Sequence, residues 1–83
     1  MDEITVELVW RKGIKVNGYD PVVIRQDVYG SLMSRNEYGN RQSTLGWEID
    51  HVIPSSKGGS DDITNLRPLN WKNNARRQDD IFK

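Results

Sequence analysis

The sequence predicts a small α+β protein, a single domain over residues 1–83 in which a short N-terminal helix and a hairpin precede a strand–loop–strand–helix unit. Three observations carry this expectation. Ile4, Val6, Leu8 and Trp10 mark an ordered first segment. Glu48 to Ile53 alternates polar and apolar residues and stops at Pro54. Asn70 then opens a polar helical stretch over 71–78.

Along the chain, Glu3 to Lys12 reads two ways, because its apolar residues alternate like a strand while Ile4 and Leu8 share one face of a helix. Asp2 and Glu3 suit a helix start and Gly13 a helix stop, which favours the helix. Asn17-Gly18-Tyr19-Asp20-Pro21 is turn chemistry: Asn-Gly accepts positive φ, and proline moves its predecessor out of the helical region. Val22 to Asp27 and Leu32 to Arg35 are short extended pieces around Tyr29-Gly30-Ser31, a hairpin supporting the rest from within residues 1–43.

Residues 44–80 form the second part. In the strand Glu48 to Ile53, Ile49, His51 and Ile53 share one face and Glu48, Asp50 and Val52 the other. Asp50 and His51 can therefore serve one site only where the strand ends or bends. A polar loop, Ser55 to Asp62, leads to a returning strand, Ile63 to Leu69, whose Pro68 suits a sheet edge. Trp71 and Ala75 are the inward residues of the last helix. In a domain this small, Trp10, Trp47 and Trp71 supply much of the buried area.

Composition removes several function classes. There is no cysteine, so disulfides, iron–sulfur clusters and four-cysteine zinc knuckles are excluded. The acidic amino terminus is unlike a secretory signal, and no apolar run approaches a membrane span; the expectation is a soluble, unprocessed, cytoplasmic protein. Twelve basic residues balance twelve acidic ones, six of each in residues 1–43 and six of each in 44–83. Nucleic-acid contact would then come from a local basic face built from Arg76, Arg77, Lys72, Lys57 and Arg67, and would be weak and salt-sensitive.

The only histidine, His51, follows Asp50 directly and precedes Asn65 by fourteen residues and Asn74 by twenty-three, with Arg76 and Arg77 close behind. Imidazole accepts a proton near neutrality, carboxylate and amide oxygens are hard ligands, and guanidinium groups clamp phosphate. A lone histidine is more often a hydrogen-bonded structural residue, but here the surrounding spacing reverses that balance. Asn73 competes with Asn74, which precedes Arg77 by three residues and so shares nearly the same helix face. With no other imidazole and no thiolate, the donor set suits magnesium, with manganese able to substitute, better than zinc.

In their order and spacing, Asp50-His51, Gly58-Gly59, Asn65-Leu66 and Asn74 followed by Arg77 resemble the HNH endonucleases and their ββα-metal fold. The spacing is similar to that of members with asparagine at the third motif position, such as the nicking domain of RNA-guided nucleases. Val9-Trp10 with Lys12-Gly13, Gly18-Tyr19-Asp20-Pro21, Arg25, Asp27 and Tyr38-Gly39-Asn40-Arg41 look like features of stand-alone bacterial and phage members. Two departures stand out: paired CxxC knuckles are missing, and Arg77 occupies a place where lysine is common.

The resemblance implies DNA phosphodiester hydrolysis that leaves 5′-phosphate and 3′-hydroxyl ends. His51 would take a proton from water opposite the leaving 3′ oxygen. Asp50 and Asn74 would hold the cation, and Asn65 would tie the loop down through side-chain to backbone hydrogen bonds. One site per chain implies nicking by a monomer, and double-strand cleavage by a dimer. The alternatives are a non-cleaving nucleic-acid-binding or phage accessory protein that keeps the fold and works with a phage or bacterial protein partner, and a toxin restrained by an immunity protein.

Overall fold

The computed structural model describes residues 1–81. Helix α1 spans Glu3–Trp10 and starts where the Asp2 carboxylate accepts the Thr5 amide at 2.7 Å. It stops where the amides of Lys12 and Gly13 turn back to the carbonyls of Val9 and Trp10. Its buried residues are Val6, Val9 and Trp10, while Ile4 is 76% exposed. The inward face is thus rotated away from the one that Ile4 and Leu8 would share.

Strand β1 (Ile24–Gln26) pairs antiparallel with β2 (Leu32–Ser34), the hairpin anticipated between Val22 and Arg35. Its loop is closed by Gly30, whose φ of +88° is open to glycine without strain. Strand β3 (Trp47–His51) pairs antiparallel with β4 (Leu66–Asn70), setting Trp47 opposite Asn70, Asp50 opposite Arg67 and His51 opposite Leu66. Helix α2 follows at once, spanning Trp71–Ile81, with the Asn70 side chain accepting the Lys72 amide at 3.0 Å.

Both strands of the second hairpin differ from the sequence expectation at their ends. β3 stops at His51, because the amides of Val52 and Ile53 bond to the backbone and side-chain oxygens of Asn65 rather than continuing the ladder. The returning segment begins as a 3-10 turn over Ile63–Asn65, with the Asn65 amide bonded to Asp62 O, and becomes a strand only at Leu66.

The β3–β4 hairpin has two unlike faces. Trp47 belongs to a buried cluster with Val6, Val9, Trp10, Met33 and Leu66, against which Ile49 packs. The rings of Trp10 and Trp47 lie 5.2 Å apart and tilted, a geometry favoured between aromatic quadrupoles. Trp71 is only half-buried and donates its indole N–H to Ser43 O. The opposite face presents Glu48, Asp50 and Arg67, and α2 covers it with Asn74 and Arg77. Among the described residues no helix is long and apolar enough to cross a membrane.

Candidate active site

The polar face under α2 is built from strand alternation and helix periodicity together. Glu48 and Asp50, two apart on β3, point the same way. Asn74 and Arg77, three apart on α2, meet them. Asn74 is 7% exposed and donates its Nδ2 to Glu48 Oε1 at 2.8 Å. Arg41 holds the same carboxylate through Nε and Nη2, at 2.7 and 2.8 Å. The Arg41 bond, joined by that of Asn74, keeps the Glu48 carboxyl below the usual range although burial opposes it.

Asp50 is 1% exposed and is held by two guanidinium groups, with Arg67 Nε at 2.8 Å and Arg77 Nε at 3.0 Å. Both arginines were expected among the nucleic-acid contacts; in the structure both turn toward Asp50, because a carboxylate sealed on this face has to be compensated. Arg77 also donates Nη2 to the carbonyls of His51 and Val52, at 3.0 and 2.5 Å. It thereby fastens α2 to the end of β3.

His51 stands at the end of β3 and turns its imidazole the other way, with Nε2 2.6 Å from Asp61 Oδ1. Asn65 lies beneath this end. Its Oδ1 accepts the Ile53 amide at 2.8 Å, and its Nδ2 donates to Ile53 O and Ser60 O at 3.1 and 2.8 Å. Gly59 sits in the same knot; a Cβ there would fall 1.7 Å from Ile53 O.

The two neighbouring asparagines diverge. Asn73 donates to Asp27 Oδ2 and Ser31 Oγ on the first hairpin, whereas Asn74 faces β3. Lys57 and Arg76 are exposed and line an open groove of about 690 Å³ with Tyr29, Ser31, Asn73 and Arg77. Lys72 is exposed as well, its ammonium 5.8 Å from the Trp71 ring centroid, outside that groove.

Does this face suit a divalent cation? Asn74 Oδ1 is buried and has no hydrogen-bond partner among the described residues, an arrangement that costs free energy unless something else fills it. The neighbouring donors are carboxylate oxygens, and Asp50 retains lone pairs beyond the two that the arginines take. An oxygen-rich set of this kind fits a hard ion such as magnesium or manganese. Among the described residues no three His, Cys, Asp or Glu side chains converge.

Sequence reasoning passed over Glu48, Asp61 and the Tyr29–Ser31 loop. Glu48 left a signal, its i−2 relation to Asp50; Asp61 left none, since its approach to His51 depends on the path of the loop.

A family model described as HNH endonuclease matches residues 38–80. Over 47 residues the chain is 43% identical to the probable mobile endonuclease C of Enterobacteria phage T4, a match covering 54% of this chain and 22% of that protein. The chain therefore spans about a fifth of the length of the relative it matches. No solved structure matches.

Proposed function

The chain belongs to the HNH endonuclease family, and from that premise we propose that it hydrolyses DNA phosphodiester bonds with His51 as general base and with Asp50 and Asn74 as oxygen ligands for magnesium or manganese. The observation that carries this reading is the buried, unpartnered Asn74 Oδ1 on the face that also holds Glu48 and Asp50. When bound, the divalent ion would relieve negative charge at the scissile phosphate and the leaving 3′ oxygen.

The remaining work falls to side chains. Asp61, accepting from Nε2, fixes the imidazole so that Nδ1 is the nitrogen left to take a proton from water. Asn65 holds the backbone after His51 in a fixed path, and Arg77 braces Asp50 against the carbonyls of His51 and Val52. Base and carboxylate thus share one support. Lys57 and Arg76, exposed beside this end of the hairpin, are the phosphate contacts left once Arg67 and Arg77 are committed to Asp50. One site per chain makes nicking the product of a monomer.

A plasmid-nicking assay with magnesium, repeated with chelator, tests the reading. His51→Ala is expected to abolish nicking while the circular-dichroism spectrum and melting temperature stay parental. Nicking at the parental rate by that variant would show that the base is misassigned. A second reading, a non-cleaving DNA-binding protein, draws support from the two guanidinium groups that seal Asp50. DNA binding without magnesium-dependent nicking would favour it.

A further inference from the structure

The groove beside α2 is walled on its other side by the Tyr29–Ser31 loop, which lies outside residues 38–80 that match the family. This loop is built to stay in place. Asp27, 1% exposed, accepts four N–H donors: the amides of Tyr29, Ser31 and Asn70, and Nδ2 of Asn73. Ser31 Oγ accepts a second bond from Asn73 Nδ2 at 2.9 Å. The loop is thereby tied to the first turn of α2. Its most prominent side chain is nevertheless turned outward: Tyr29 is 61% exposed, with the Arg67 guanidinium 5.8 Å from its ring centroid.

An exposed aromatic ring carried on a tightly bonded loop and facing Lys57 and Arg76 across an open channel combines the two elements that grip a nucleic-acid strand, a cationic track and a flat apolar surface. Asp80 also lines the channel and lowers its positive surplus, so the ring contributes what charge alone does not. Arg77, which touches both the groove and the carbonyl of His51, connects the channel to the catalytic end of β3.

We propose that the first hairpin is a DNA-positioning element: the groove holds the sugar–phosphate backbone of the strand being cut, Lys57 and Arg76 meet its phosphates, and the Tyr29 ring packs on the adjoining nucleotide. The inference rests on the nuclease reading for the location of the cut but not for the binding itself.

Binding of a short fluorescein-labelled DNA duplex, followed by anisotropy in chelator so that no strand is cut, separates the two. Tyr29→Ala is expected to raise Kd about tenfold, with the salt dependence of binding unchanged, and Tyr29→Phe to bind within about twofold of the parent. Arg76→Ala is expected to lower the salt slope by about one. Thermal melts check that each variant is folded. Parental affinity in Tyr29→Ala, or no measurable affinity in the parent, would overturn the proposal. Magnesium-dependent nicking by a parent whose binding ignores Tyr29 would sink the groove and spare the nuclease, whereas Tyr29-dependent binding without nicking would do the reverse.

Discussion

Asn74 Oδ1 is a buried acceptor without a donor, on a face where every neighbouring carboxylate is paired. An unsatisfied polar atom of this kind costs about 1–3 kcal/mol, so Asn74→Ala removes a penalty along with a side chain. Near-parental stability with cleavage reduced at least about a hundredfold, on the scale of losing one charge-stabilising contact, is the expected outcome. Urea denaturation and plasmid nicking would check it together. Asp50 is a poorer probe of metal binding, because Asp50→Ala strands two partly buried guanidinium groups and should destabilise the fold by about 3–5 kcal/mol. Loss of nicking there follows from either cause, which makes the Asn74 variant the informative one.

At the scale of elements, the β3–β4 hairpin is held by apolar packing on one face and by charge on the other. Trp47 is fully buried against Trp10, and Trp47→Ala is expected to cost about 3–5 kcal/mol in a denaturant titration. The loop after β3 depends on Asn65, which bonds two stretches of backbone at once. In Asn65→Ala the Ile53 amide loses its acceptor; hydrogen exchange at that amide should accelerate and nicking should fall, while the Trp47 core keeps its protection. Equal exchange at Ile53 in parent and variant would contradict the tie. The family resemblance implied that Asn65 ties the loop to backbone, but not that the returning strand would start only after it, because a side chain bonding back to the loop competes with the ladder in a way propensity does not register.

For the whole molecule, stability should depend on pH through carboxylates paired across the fold. Glu7 is lowered by its bonds to Arg35 and then Arg11, and Glu48 by Arg41 and Asn74. In each case the folded-state pKa lies below the ordinary glutamate value of 4.5, so the contribution is whole above that value and is lost as pH falls through the depressed one. Melting temperatures should hold steady near neutrality and drop below about pH 4.5, and Glu48→Gln should make the drop shallower. A parental slope in that variant would show that the Arg41–Glu48–Asn74 set does not contribute.

The features legible in one dimension were short-range: the Asp2 and Asn70 caps, the hairpin around Gly30, and the strand–loop–strand–helix order of the second half. Each follows from neighbours a few residues apart or from fixed spacing, and so survives being read in one dimension. Packing in three dimensions settled that Arg67 and Arg77 close on Asp50, that Asp61 takes the imidazole, that Asn73 and Asn74 part toward different hairpins, and that Tyr29 faces the basic side of α2. Those choices depend on which charges burial brings together: a carboxylate removed from water takes whatever donor the fold sets beside it, and that donor can lie anywhere along the chain.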